Sequence, residues 1–168
     1  MPPVKRTPAP KPNRPRNPDA PPKPRRPRDE LGRPQPWDAR NELELEDYDN
    51  LPLEENHRLG VAHFDAHRFF PAHEAWETAW KQAKGTDDAE FFKGLSQLGA
   101  GYTHLMRGNA HGAAALLRRG SGRIAKYPSP HHRVDTESLA RIARDQADAI
   151  EAASDAGSPL PTLEYPVV

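Results

Sequence analysis

One histidine and two glutamates stand within five residues of one another in FFPAHEAWETAW (69–80), set among four large aromatic rings. His73 and Glu77, at i and i+4, project from one side of a helix with Cβ atoms about 6 Å apart. Zinc helices hold their ion with this spacing, using a second His where this chain has Glu. His104 is the candidate third ligand, which leaves Glu74 as a general base acting on metal-bound water. The metal set is therefore His73, Glu77 and His104, and the candidate catalytic pair is His73 with Glu74. With no cysteine in the chain, a divalent ion of the zinc type would have to rest on His, Asp or Glu. A di-iron centre needs two Glu-x-x-His pairs, and Glu54 with His57 supplies one.

The same residues support two other readings. In one, His73, Glu74, Glu77, Gln97 and His104 form a buried hydrogen-bond network. Each polar group left without a partner there would cost about 1–3 kcal/mol. In the other they line a small-molecule pocket, for which Trp76, Trp80, Gln97, Tyr102, His104 and Asn109 are the ligand-binding candidates. A carboxylate beside an imidazole in such a cleft would shift both pKa values. The leading function is a small-ligand-binding or scaffold module, with a metal-dependent hydrolase as the rival; enzymatic activity is left open.

Several elements must position these groups. Along the second helix, Phe69, His73, Trp76, Trp80 and Ala83 recur at steps of four and three, one face of an α-helix. Pro71 is tolerated only in a first turn, so this helix begins near Phe69. A helix over about 87–107 carries Phe91, Leu95, Leu98, Tyr102 and Leu105 on its core stripe, with Gly94, Gln97, Gly101 and His104 beside it. Two helical glycines on one face predict a close neighbouring backbone, so Gln97 and His104 are expected in a tight helix contact. Earlier, residues 51–66 form a helix with Leu53, Leu59, Val61 and Phe64 on its apolar face. Helices over about 110–126 and 136–153 complete the set, the former with Arg118, Arg119, Arg123 and Lys126 as a basic side.

The first part of the chain is of another kind. Of the 20 prolines, 13 fall before residue 37, and ten Lys or Arg stand there against three acids, a net of +7 in a chain that is neutral overall. Such a segment cannot bury enough apolar surface to offset its ordering entropy. Residues 1–36 are therefore expected to be a disordered basic arm, able to make weak contact with nucleic acid or acidic proteins. Residues 37–50 read as an acidic linker, 51–156 as the helical domain and 157–168 as an extended tail. The sequence carries neither a secretory-type apolar run nor a membrane-spanning stretch, so no membrane partner and a cytoplasmic location are expected. Oligomeric state is not legible.

FDAHRFFPAHEAWETAW followed by FFKGLSQLGAGYTHLMRGNAHGAAALL resembles domain-of-unknown-function family 309, a small all-helical bacterial and archaeal domain. The resemblance covers about residues 54–126 and reaches the last helix only by pattern. It places His73, Glu74, Trp80, Gly94, Gln97, His104 and Asn109 on the family's typical positions, while His67 and Pro71 depart from it. It implies an all-α bundle of about five helices and carries no activity to transfer. The expected site is the cleft between the second and third helices.

Overall fold

The computed structural model describes residues 24–168. Residues 1–23, most of the arm for which disorder is expected, lie outside the described residues. Five helices follow one another: α1 (Leu53–Asp65), α2 (Phe69–Gln82), α3 (Ala89–Met106), α4 (Ala110–Ile124) and α5 (Thr136–Asp155), with no strand among the described residues. Each helix packs on the next in sequence, as short connections between helices in a bundle dictate.

Local chemistry sets the boundaries. Pro71 sits in the first turn of α2, where its missing N–H removes no internal bond. Gly108, at φ +75°, takes the left-handed position after α3, and Asn109 then caps α4 by accepting from the Gly112 amide at 2.9 Å. Asp135 caps α5 in the same way through the Ser138 amide.

The core mixes aromatic and aliphatic side chains. Phe64, Phe69, Trp76 and Tyr102 are fully buried, with the Phe64 ring 5.0 Å from Phe69 and 5.6 Å from Tyr102. Leu95, Leu98, Leu117, Ile124 and Leu139 continue it. The buried face of α2 is Phe69, Ala72, Trp76, Ala79 and Ala83, not the expected stripe through His73 and Trp80. The alanines decide this, because they let α2 lie close to its neighbours and leave His73 and Trp80 at the edge. Trp80 is only half-buried, with the ammonium groups of Lys84 and Lys93 at 5.4 and 5.0 Å from its ring.

The expected glycine contact exists, but it faces another helix. A Cβ on Gly94 would meet Ile124 and Arg123, and one on Gly101 would meet Leu117, all on α4. Gly99 is the glycine that faces α2: its Cβ would stand 2.9 Å from the His73 amide nitrogen. Gln97 therefore looks toward α4, not into a cleft with α2.

Residues 24–36, grouped by composition with the disordered arm, instead form a hydrogen-bonded turn on the domain. Asp29 accepts from the Leu31 and Arg33 amides, Gly32 packs against the Phe70 ring, and Arg107, the residue after α3, donates twice to the Leu31 carbonyl. Arg28 and Arg107 both lie over the Phe70 ring, at 4.7 and 5.6 Å. The half-buried Phe70 ring and Arg107 supply the order that composition alone denies. Residues 37–50 are likewise more than a linker. A single 3-10 turn (Tyr48–Asn50) buries Tyr48, and Asn56 of α1 pins it by donating to the Tyr48 and Leu51 carbonyls. At the other end, Tyr165 packs on Phe69 and Tyr102, and the Val168 amide donates to Asp65.

Candidate functional site

The outer face of α2 presents His73, Glu74 and Glu77 together, one ligand atom of each lying within 4.8 Å of the others. The register of α2 brings this about: with Phe69, Ala72 and Trp76 inward, positions 73, 74 and 77 turn to the half-exposed side. His73 Nδ1 stands 3.0 Å from the Ser96 carbonyl and 2.9 Å from its hydroxyl. A carbonyl can only accept, so Nδ1 carries the proton and the neutral ring keeps its lone pair on Nε2. That nitrogen lies 3.8 Å from a Glu74 oxygen, beyond hydrogen-bond distance. Anchoring of the far ring nitrogen by a backbone carbonyl is how metal-binding histidines are oriented.

Beside this trio lies a groove of about 260 Å³. Its walls are Glu74, Glu77, Thr78 and Lys81 of α2, Leu45, Tyr48 and Asp49 of the segment before α1, and Arg25, Arg26 and Arg28 of the N-terminal turn. Both signs of charge line it. Lys81 meets Glu77 at 3.3 Å, while Arg28 is turned to the Gly32 carbonyl.

The other predicted residues go elsewhere. Trp76 is core, and its indole N–H donates to His57 Nδ1 at 3.1 Å. Gln97 accepts from Arg123, which also pairs with Glu90. Tyr102 is buried and donates to Gln146; desolvation, with Tyr165 adding to it, raises its phenol pKa. His104 accepts from the Asn109 amide at 2.9 Å and lies outside the trio of α2. Its pKa is lowered by desolvation, then by Arg107 and His73. The carboxylates thus line the surface between α2 and the N-terminal segments, while α2 and α3 meet in close backbone contact at Gly99.

A second polar group escaped sequence reasoning. His63 is buried and makes contact on both ring nitrogens: Arg68 donates to Nδ1 at 3.1 Å, and Nε2 lies 3.0 Å from Glu46. Glu46 also accepts from the Tyr48 hydroxyl at 2.6 Å. Desolvation raises the Glu46 pKa, but the hydrogen bonds from Tyr48 and the backbone and the neighbouring His63 outweigh it and hold the carboxyl below its ordinary range. Burial and the same Glu46 contact push the Tyr48 phenol up. The alternation of Leu43 and Leu45 with glutamates in ELELEDY (42–48), followed by an aromatic Tyr48, was the available signal, since a run of pure linker has no reason to carry such apolar side chains.

The basic side of α4 is partly neutralised. Arg118 pairs with Asp148 and Glu151 of α5, and Arg123 with Glu90. No helix among the described residues is long and apolar enough to cross a membrane.

Comparison with curated proteins and with solved structures returns no match. Residues 57–116, which run from within α1 through α2 and α3 into α4, match the model of the family described as "Domain of unknown function (DUF309)", and over these residues the chain is similar to that family.

Proposed function

We propose that the domain binds a small acidic ligand together with a divalent cation in the groove over α2. The observation that carries this reading is the free Nε2 of His73, held by Ser96 and grouped with Glu74 and Glu77, at the edge of a groove lined by three arginines and a lysine. Two carboxylates and one imidazole suit a cation such as Mn²⁺ or Mg²⁺, whose preference is for oxygen. Guanidinium groups opposite would take the ligand's carboxylate or phosphate. At about 260 Å³ the space is near the lower end of the roughly 300–1,000 Å³ of small-molecule sites, which limits the ligand to a small molecule.

A hydrolase reading uses the same groups differently. If the cation were to rest on His73 and Glu77, Glu74 would be left beside the metal-bound water as its base, a reading that the 3.8 Å between Glu74 and Nε2 supports. His104, engaged by Asn109, is not needed in either scheme.

Calorimetric titration of the full chain with Mn²⁺, alone and with inorganic phosphate, tests the proposal. Mn²⁺ binding that strengthens in the presence of phosphate and weakens in Glu77→Gln supports it. Equal titrations of parent and Glu77→Gln would refute it. Glu74→Gln separates the two schemes, because loss of phosphoester hydrolysis with cation binding retained is the hydrolase outcome.

A further inference from the structure

A second group of ligand-competent side chains lies where the loop between α4 and α5 meets the start of α3. His131 Nε2 stands 2.7 Å from one oxygen of Asp88, and His132 Nε2 stands 2.8 Å from the other. One ligand atom of each residue lies within 4.8 Å of the others. We infer that Asp88, His131 and His132 form a binding site for a zinc-type transition-metal dication, independent of the groove over α2.

Four observations carry the inference. First, Asp88 is the N-cap residue of α3, yet its carboxylate makes no cap hydrogen bond. Its backbone is helical, at φ −86° and ψ −6°, whereas Asn109 and Asp135 cap from ψ 82° and 84°, so the Asp88 carboxylate is not committed to the helix end and takes two imidazoles instead. Second, the backbone turns to present both rings. His132 and Arg133 are consecutive non-glycine residues at φ +45° and +66°, a conformation that L-residues adopt at a cost and that clusters at functional sites. Third, the rings are seated before any ion arrives. His131 packs edge-on against Phe91 at 4.8 Å and beside Tyr127 at 4.8 Å, while His132 stacks on Phe91 at 5.5 Å. His57, itself fixed by Trp76, lies 3.0 Å from the His132 carbonyl and holds the loop from beneath. Fourth, the three side chains are each about one-fifth to one-third exposed, so an ion and its water can reach them.

Two imidazoles and one carboxylate select Zn²⁺, Ni²⁺ or Cu²⁺ over Mg²⁺ or Ca²⁺. Ligand distances of about 2.0–2.2 Å in a tetrahedral arrangement put neighbouring donor atoms about 3.3 Å apart, so each Nε2–carboxylate contact must open by about half an ångström while the two ring nitrogens, within 4.8 Å, settle to the same spacing. In the metal-free state each Nε2–H donates to the carboxylate. On binding, each neutral ring moves that proton to Nδ1 or releases it to solvent in exchange for one returned at Nδ1, and the Nε2 lone pair goes to the ion. Three protein ligands leave the remaining position to water.

The test uses the full chain with any affinity tag removed, titrated with Zn²⁺ in competition with a chromophoric chelator. His132→Gln and Asp88→Asn keep a hydrogen-bonding group at each position, and their helical circular dichroism is compared with the parent's. One equivalent of Zn²⁺ is expected at this site, in addition to any that the groove over α2 takes up. Its affinity should fall in both variants by more than the roughly 10–100-fold that loss of an outer-shell partner costs, and it should be retained in Glu77→Gln. A second measurement needs no variant: in the parent chain, Zn²⁺ should shift the imidazole nitrogen resonances of His131 and His132. Zn²⁺ that binds neither ring, or whose shifts are confined to His73, would overturn the inference, as would equal affinity in parent and folded variants.

Discussion

Replacing Gly99 by alanine tests the contact on which the geometry of His73 depends. The added methyl would stand 2.9 Å from the His73 amide nitrogen and 3.1 Å from both its Cα and the Phe69 carbonyl oxygen. All three atoms belong to the backbone of α2, so no side chain can swing aside, and α2 must retreat by about half an ångström to restore ordinary van der Waals contact. Overpacking of this kind costs about 1–3 kcal/mol, while removing a helical glycine returns about 0.5–1 kcal/mol. The net is a loss of about 1–2 kcal/mol, or roughly 4–8 °C in melting temperature for a domain of this size. Gly122, on α4, is the internal control: a Cβ there meets nothing within 4 Å, so Gly122→Ala should gain about 0.5–1 kcal/mol. Urea unfolding of parent and both variants, with slopes compared to confirm the same cooperative unit, reads the two signs directly. The reasoning fails if Gly99→Ala is as stable as the parent, because α2 and α3 would then not be in backbone contact.

Trp76→Ala should cost about 3–5 kcal/mol through the cavity it leaves and also free His57, whereas half-buried Trp80→Ala should cost about 1–2 kcal/mol; thermal unfolding of the pair that ranks them in reverse would contradict the observed face of α2. Because the folded pKa of Glu46 is lowered, its contribution is present above the unfolded carboxylate pKa and is lost as pH falls through the folded one. The stability gap between parent and Glu46→Gln should therefore be open at neutral pH and close in acid, and a gap that widens in acid would be the wrong sign. Truncation before residue 37 should leave the domain about 1–3 kcal/mol less stable than truncation before residue 24, since it removes the Leu31 carbonyl from Arg107 and uncovers Phe70; equal melting temperatures would show that the N-terminal turn does not support the domain.

The helices were legible because their signals are local. Pro71, Gly108, Asn109 and Asp135 mark starts and stops through their own backbone chemistry, and the stripe through Phe91, Leu95, Leu98 and Tyr102 has the period of a helix. Which neighbour each face meets was not legible. The steps through Phe69, His73, Trp76 and Trp80 follow the largest rings, but burial along α2 follows the alanines at 72, 79 and 83 that permit close approach. Glycine spacing on α3 announced a tight contact without saying that Gly94 and Gly101 serve α4 and Gly99 serves α2. That ambiguity sent Gln97 and His104 to the wrong partners, while His73, Glu74 and Glu77 came out together because a single helix fixes their spacing. Glu46, Tyr48, His131 and His132 sit on segments without periodicity, where only long-range packing places a side chain.

The groove over α2 as a cation-assisted site for a small anion is tested most directly by locating a bound ion. Crystals of the full chain soaked in Mn²⁺ and phosphate, with data collected at the manganese edge, would show where the metal rests. An anomalous peak within about 2.0–2.6 Å of His73 Nε2 and of a carboxylate oxygen of Glu74 or Glu77, with phosphate on its open side toward Arg25, Arg26 or Arg28, is the predicted result. A fully soaked crystal with no peak at His73, or with manganese elsewhere and the groove holding only water, would contradict it.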